Sequence, residues 1–315
     1  MLPYAAVMKI GFGAPVSGSW ATPANHVRFA RLAEECGYAS LWTFQRLLVG
    51  ADQQLPPVYQ SVLDPLVSLS FLAAHTTRVR LGVAVLNLPF VAPAYLAKQA
   101  ATLDLLSGGR LDLGLGVGWS DVEFTATGAS TGRRGARTEE YLSVLRGLWS
   151  DEVAQFAGEF YQVPASRAEP KPAQRPGPPI ILGGGVPAAL ARAGRVADGW
   201  VSASGADPLT IGSSIATVRD AAERAGRNPD DVRIICRAAL RHGADDLRGS
   251  DGERKLLSGS TEQILGDVVW LGEQGVTELF YDLNFDPTIG NPDMGAAGSA
   301  DRAEEILRAL APVAD

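Results

Sequence analysis

The feature that most constrains this chain is a repeated alternation of short apolar segments with segments of helical periodicity. Apolar strands that lack polar alternation are typical of parallel sheets covered by helices. The pattern therefore predicts an α/β fold, a (β/α)8 TIM barrel with insertions, and an open doubly wound sheet is the alternative. Strands are predicted at residues 8–15, 39–44, 79–86, 111–117, 180–182, 199–202, 232–239 and 278–283.

Helices are predicted between these strands, and the last one ends the pattern. They cover residues 23–35, 64–75, 93–106, 139–149, 188–196, 209–225, 262–274 and 301–310. A barrel of this kind accommodates all 315 residues, so we expect a single domain over 1–315. Segments rich in turn-forming residues predict insertions near 45–63, 153–178 and 284–298, the second with a hairpin around 156–160.

Charge and cysteine usage exclude several classes of protein. The chain carries 28 Lys and Arg against 35 Asp and Glu, so it lacks the overall basic charge of a nucleic-acid-binding protein. Cys36 and Cys236 have neither disulfide-framework nor metal-ligand spacing, and no metal site is expected. Without a long apolar run or a basic signal-peptide region, we expect a cytoplasmic protein that has no membrane partner and acts on a small molecule.

A triple glycine follows the fifth predicted strand and precedes a helix. In a barrel, chemistry is expected at the carboxyl ends of the strands, where this turn lies. Gly183, Gly184 and Gly185, with Val186 after them, let the backbone approach a ligand, and exposed N–H groups at a helix start attract anions. The segment predicts a site for the phosphate of a nucleotide or flavin, and a tight turn without a ligand is the alternative.

Five blocks of the sequence carry a family resemblance. Residues 81–123 are similar to the bacterial luciferase-like family of flavin and deazaflavin oxidoreductases. Four further blocks, at 33–43, 134–149, 178–201 and 259–283, follow in the family's order. The resemblance implies a TIM barrel with a flat cofactor ring at its mouth and the cofactor phosphate on the 183–186 turn. It also implies a bulge at Ala84-Val85 behind the ring, which contains a non-prolyl cis peptide bond in the deazaflavin members.

The cofactor implied by the resemblance is the deazaflavin F420. Residues 81–123 resemble the F420-dependent branch, which implies hydride transfer to or from a small organic substrate. The first alternative is FMN, which would make the protein a monooxygenase supplied with reduced flavin by a separate reductase. The second alternative is a flavin-binding protein without turnover. Because family members are commonly dimers, a homodimer is expected.

Candidate catalytic residues follow the second and fourth predicted strands. The family often has an acidic residue followed by His or Arg after strand two, whereas this chain has Gln45-Arg46. Arg46 would supply a fixed positive charge to a reduced ring. Asp121 is the preferred proton donor and Glu123 the second, and the alternative for both is stabilisation of a helix N-terminus.

Other residues near the strand ends are candidate cofactor contacts. Asn87 would hydrogen-bond the polar edge of the ring, and the glycines up to Gly118 would make room for a flat group or for helix packing. Trp42 and Trp119 would stack on ring or substrate, with a place in the core as the alternative. A basic cluster in a predicted loop would meet the phosphate or glutamyl tail of the coenzyme, or be a solvated helix start; it comprises Arg133, Arg134 and Arg137.

Overall fold

Parallel strands close into a barrel in the computed structural model, which describes residues 8–244 and 247–312. In chain order the strands are β1 (Lys9–Gly13), β2 (Ser40–Thr43), β3 (Arg80–Val83), β4 (Leu86–Asn87), β5 (Leu111–Gly116), β6 (Ala154–Ala157), β7 (Gln162–Ser166), β8 (Ile180–Gly183), β9 (Gly199–Val201), β10 (Arg233–Ala239), β11 (Arg241–His242), β12 (Ser258–Gly259) and β13 (Glu278–Asp282). The barrel order runs β3-β2-β1-β13-β10-β9-β8-β5, and β3 pairs with β5 to close the ring. The predicted TIM barrel is therefore confirmed, and the open sheet is excluded.

Nine helices occur within the described residues and most of them connect consecutive barrel strands. They are α1 (Pro23–Glu35), α2 (Pro65–Ala73), α3 (Pro93–Leu106), α4 (Asp121–Thr127), α5 (Arg134–Ser150), α6 (Pro187–Val196), α7 (Ile211–Arg224), α8 (Thr261–Glu273) and α9 (Ala296–Ala309). None of these helices combines the length and the apolar character that crossing a membrane requires. The predicted hairpin is β6 and β7, which pair antiparallel between α5 and β8.

Local sequence signals explain where several helices begin. The side chain of Thr22 accepts a hydrogen bond from the Asn25 N–H, and Asp64 caps α2 in the same way. Proline occupies the first turn of α1, α2, α3 and α6, where its missing N–H costs nothing. The prediction misses α4, and it starts α5 and α9 five residues late because neither helix has a side-chain cap.

An ion network lies inside the barrel at the amino-terminal ends of its strands, here called the lower end. Asp112 on β5 is fully buried and lies 2.8 Å from Arg80 Nη2 and 2.6 Å from Arg233 Nη1. Arg233 on β10 also lies 2.7 Å from Glu278 of β13, whose carboxylate accepts a hydrogen bond from Ser40 of β2. Burial alone would raise the pKa of Asp112, but the hydrogen bonds from Arg80 and the charge of Arg233 outweigh it and lower that pKa.

Aromatic stacking fills the middle of the barrel interior. Trp42 lies against Phe280 with ring centroids 5.0 Å apart and an interplanar angle of 14°. A Cβ on Gly82 would lie 2.3 Å from the Trp42 ring, so this glycine makes room for the indole. Trp42 is 1% exposed and does not line the cavity at the barrel mouth. Of the two roles left open for it, stacking on ring or substrate and a place in the core, the core position is the one observed.

Replacing Asp112 with Asn should lower the free energy of unfolding by about 3 kcal/mol at pH 7, because the partly buried guanidinium groups of Arg80 and Arg233 lose their shared, fully buried counter-charge. Since the pKa of Asp112 is lowered in the folded state, its contribution is fully present above pH ~4 and is lost as pH falls through the lowered value. Urea unfolding of wild type and Asp112→Asn between pH 7 and pH 3 measures both effects.

The matched control for this prediction is Asp52→Asn, since Asp52 is exposed in the loop after β2. This variant should stay within about 0.5 kcal/mol of wild type throughout. An equal loss in both variants, or an Asp112→Asn deficit that does not shrink in acid, would contradict the role assigned to the network.

Candidate functional site

A cavity of about 290 Å³ opens at the carboxyl ends of the barrel strands. Its walls come from the residues that follow β2, β3, β5, β8 and β9, together with one side chain of β10. They are Phe44, Gln45, Arg46, Tyr59, Ala84, Val85, Asn87, Gly116, Val117, Gly118, Trp119, Gly183, Gly184, Val201, Ser202, Ala203, Ser204 and Arg237. A cavity of about 320 Å³ between α3, α5 and the hairpin lies outside the barrel. The mouth cavity lies instead at the strand ends, where barrels carry their chemistry.

Most of the predicted cofactor contacts converge on this cavity. Seven of the nine predicted contacts line it, and so does the predicted catalytic residue Arg46. The seven are Ala84, Val85, Asn87, Gly118, Trp119, Gly183 and Gly184. Gly185 lines a neighbouring cavity of about 350 Å³ instead, and Val186 is 65% exposed at the start of α6.

One wall of the cavity is a bulge that separates β3 from β4. It is formed by Ala84 and Val85, and the peptide bond between them is cis, as the resemblance implies. Glycines on the neighbouring strand β5 allow the bulge to approach. A Cβ on Gly114 would lie 1.8 Å from the Val83 carbonyl oxygen, and one on Gly116 would lie 2.5 Å from Val85 Cγ2. The glycines of β5 thus make room for the bulge itself.

Arg237 on β10 fixes the bulge from the opposite side of the barrel. Its Nη1 donates to the Ala84 carbonyl at 2.9 Å, while Nε and Nη2 each lie 2.7 Å from the Asp282 carboxylate on β13. The guanidinium also lies against the neighbouring rings of Phe44 and Phe285, 4.7 and 4.6 Å from their centroids. These contacts hold Arg237 in one position, and each of its three guanidinium nitrogens has an oxygen partner within the protein.

Arg46 and Glu123 form a second buried ion pair, with Arg46 at the cavity and Glu123 behind it. Arg46 Nη1 lies 3.0 Å from Glu123 Oε2, and both side chains are almost fully buried. The other carboxylate oxygen of Glu123 accepts the Leu47 N–H at 2.7 Å. The Arg46 guanidinium lies 4.3 Å from the Trp119 ring centroid and 4.9 Å from that of Tyr59. Glu123 therefore holds Arg46 in place, and its role as the second proton donor stays a prediction.

Asp121 lies elsewhere than predicted with respect to the cavity. It is the first residue of α4, exposed to solvent, and it is absent from the cavity lining. The alternative interpretation, an acidic residue in the first turn of a helix, matches this position. Gln45 instead lines the cavity, and its side-chain carbonyl accepts the Asn87 N–H at 2.9 Å. That contact ties the segment after β2 to β4.

The glycine turn after β8 separates the mouth cavity from the neighbouring one. Gly184 has a φ of +126°, which favours glycine, and its carbonyl accepts a hydrogen bond from Trp200 Nε1 at 2.8 Å. A Cβ added to Gly185 would meet no atom within 4 Å. The two cavities share Ser202, Ala203 and Arg237, so they form adjoining compartments around the turn.

The basic cluster does not line the mouth cavity, and only Arg133 precedes the helix. Arg134 and Arg137 lie in the first turn of α5, so their prediction as loop residues is wrong. Arg134 Nη1 donates to the Gly118 carbonyl at 2.9 Å and thereby supports the cavity rim. Arg133 pairs with Glu159, and Arg137 lies 4.4 Å from the centroid of the Phe160 ring on the hairpin.

The charge of the cavity wall is cationic. Among the described residues that line it, Arg46 and Arg237 are the only ones with a fixed charge, and their carboxylate partners stand behind them. In the neighbouring cavity, burial raises the pKa of the Cys236 thiol to about 12, so it stays protonated and is a poor nucleophile. The arrangement suits an anionic, flat ligand, and the described residues that line the mouth cavity include no carboxylate or thiolate nucleophile.

Sequence reasoning missed Arg237, Asp282 and Tyr59. The signal for the first two was available, because residues two apart on a strand share a face. Ile235 and Phe280 belong to the apolar cluster inside the barrel, so the residues two positions after each also face inward. Tyr59 lies in a loop and had no such signal.

Comparison with known proteins places these features in a family context. The family described as luciferase-like monooxygenase matches residues 6–262. The chain is 31% identical over 255 residues to an F420-dependent glucose-6-phosphate dehydrogenase of Amycolatopsis mediterranei, covering 79% of this chain and 73% of the relative. It is 34% identical over 221 residues to an FMNH2-dependent dimethylsulfone monooxygenase of Pseudomonas putida, covering 69% and 57%.

A solved structure shares the fold at lower sequence identity. The monooxygenase RslO1 from Streptomyces bottropensis superposes with a TM-score of 0.78 at 24% identity, covering 96% of this chain and 98% of that one. At this identity the likeness concerns the fold alone.

Replacing Gly114 with Ala should destabilise the protein by about 1–3 kcal/mol, because the new methyl group would lie 1.8 Å from a backbone oxygen that cannot rotate away. Urea unfolding measures the loss. The control is Gly266→Ala on α8, where a Cβ meets nothing within 4 Å and should stabilise by about 0.5–1 kcal/mol. Equal stability of Gly114→Ala and wild type would show that the bulge does not need this glycine.

Proposed function

Because the chain belongs to the luciferase-like monooxygenase family, we propose that it is an oxidoreductase that uses coenzyme F420 for hydride transfer to or from a small organic substrate. The observation that carries the proposal is the mouth cavity, whose lining brings together the Ala84-Val85 bulge and Gly183 and Gly184 of the glycine turn. The similarity of residues 81–123 to the F420-dependent branch supports the choice of cofactor. So does the relative named as F420-dependent, which aligns over 79% of the chain.

The residues present fit a flat, phosphorylated cofactor. Ala84 and Val85 offer a small apolar surface for a ring, and the adjoining cavity beyond the glycine turn gives room for a chain with a phosphate. The open space at Gly185 and the N–H groups at the start of α6 suit that phosphate. When bound, the coenzyme would supply a hydride carried on carbon, which hardly reacts with oxygen.

The chain's own residues would then bind and orient. Arg237 holds the Ala84 carbonyl, and Gln45 holds the backbone N–H of Asn87. Arg46 presents fixed positive charge to the cavity, and Glu123 positions it. We propose that Asp121, exposed at the start of α4 two residues after the rim residue Trp119, exchanges the reaction's proton at the rim.

FMN is the second candidate cofactor, and the relative named as FMNH2-dependent favours it at 34% identity. With FMN the protein would be a monooxygenase, and a separate reductase would supply the reduced flavin. A third reading is a flavin-binding protein without turnover, which the absence of an acid or histidine among the described lining residues favours.

We also propose that the protein works in the cytoplasm as a homodimer. Both cysteines are free thiols, which fits a reducing compartment. Several exposed apolar side chains lie on α2 and α3, where Val67, Tyr95 and Leu106 are 70%, 64% and 74% exposed. We propose that these side chains contribute to the dimer interface. Light scattering on the purified protein tests the dimer.

Titration of the purified protein with F420 and with FMN, followed by ring fluorescence, tests the cofactor assignment. We expect micromolar binding of F420 and at least about tenfold weaker binding of FMN. Binding of FMN alone would show that the cofactor is FMN and not F420. Binding of neither would overturn the proposed function.

A negative charge at position 185 should interfere with the cofactor phosphate. Gly185→Asp is expected to weaken cofactor binding about tenfold relative to Gly185→Asn, because the two side chains match in size and differ in charge by one unit. The same fluorescence titration measures the ratio. Equal cofactor affinities in the two variants would show that the phosphate does not bind at the glycine turn.

A further inference from the structure

We propose that Arg46 anchors a carboxylate of the substrate, so that the substrate is a small organic acid with a flat, apolar body. The inference rests on the proposed function, in that the acid would bind in the mouth cavity beside the cofactor. The substrate class is inferred from Arg46, which follows Gln45 in the segment after β2.

The first argument is that two guanidinium nitrogens of Arg46 lack a well-placed hydrogen-bond acceptor in the described part of the chain. The residue is 7% exposed and lines the cavity. Its Nε and Nη1 are buried, and neither has a hydrogen-bond acceptor of good geometry among the described residues. The ion pair with Glu123 compensates the charge at 3.0 Å without using these N–H bonds well. Buried donors of this kind cost about 1–3 kcal/mol each until a ligand supplies an acceptor.

The second argument is a contrast between the two cavity arginines. Arg237 donates to Asp282 and to the Ala84 carbonyl, and both contacts are short. Its donors are therefore spent on the protein, whereas those of Arg46 are not. A guanidinium is planar and accepts a carboxylate in a fork of two hydrogen bonds, which makes a carboxylate the best complement to Arg46.

The third argument is that one guanidinium in this protein already serves two carboxylates. Arg233 lies 2.6 Å from Asp112 and 2.7 Å from Glu278 at the lower end of the barrel. Arg46 has a single carboxylate partner, Glu123, on the side away from the cavity lining. A second carboxylate at Arg46 would repeat on the ligand side the arrangement that Arg233 shows within the chain.

The fourth argument concerns the body of the substrate. The Arg46 guanidinium lies against the rings of Trp119 and Tyr59, which contact each other edge-on with centroids 6.2 Å apart, and the ring of Phe44 lines the same cavity. Trp119 is 56% exposed at the rim. Aromatic walls next to a cationic group favour a planar apolar group that carries a negative end. Benzoate is the simplest probe of this class, and benzamide is its neutral isostere.

The experiment is calorimetric titration of benzoate and of benzamide into the F420-loaded protein and, separately, into the cofactor-free protein. We expect at least about tenfold tighter binding of benzoate, as a charge-assisted fork predicts. Arg46→Gln should abolish the preference, because the neutral amide cannot form a charge-assisted fork with a carboxylate. Arg167→Gln, an exposed arginine paired with Glu152 on the outer hairpin, is the control and should keep the preference.

A companion variant keeps the test valid if Arg46→Gln fails to fold because Glu123 is left unpaired. Arg46→Gln/Glu123→Gln replaces the ion pair by two neutral amides and should fold and bind benzoate and benzamide equally. Equal binding of the two probes by the wild type, or an unchanged preference in the double variant, would overturn the inference. Failure to bind F420 or FMN would instead overturn the proposed function, and the cofactor-free titration would still decide the role of Arg46.

Discussion

The buried ion network at the lower end of the barrel is the interaction on which the rest of the structure depends. Asp112 accepts from guanidinium groups on β3 and β10, and Arg233 carries the connection to Glu278 on β13. A buried charge is costly unless it is paired and hydrogen-bonded. Those strands must therefore keep the register that brings the charges together, and the register in turn fixes which side chains reach the mouth.

Two further carboxylate–arginine pairs lie at the mouth of the barrel. In each, a carboxylate behind the wall holds an arginine that faces the ligand space: Asp282 holds Arg237, and Glu123 holds Arg46. Because the carboxylates compensate the charge from behind, the cavity can present positive charge without an uncompensated buried cation. The two pairs differ in what the guanidinium has left to donate. That difference separates a structural support of the bulge from a group available to a ligand.

Local periodicity was enough to predict the barrel, because its strands read as short apolar runs and helices such as α1 and α3 have proline at their first turn. The resemblance located the bulge and the glycine turn. What escaped prediction depends on contacts between distant segments. Glu123 is predicted as the second proton donor, and nothing near it in the sequence reveals that it pairs with Arg46, 77 positions earlier. Trp42 is predicted at the rim or in the core, and the room left by Gly82 shows it inside the barrel.

The glycines of β5 illustrate why composition alone misleads about function. Glycines near a cofactor site invite the interpretation that a ligand needs the space, yet Gly114 and Gly116 give that space to the Val83 carbonyl and to Val85. The bulge faces the cavity, Gly114 lies behind it, and Gly116 lies beside it in the cavity lining. Substituting either glycine would displace the bulge and change the shape of the cavity. Specificity then resides in the side chains that do face the space, and Arg46 is the one whose bonding is incomplete.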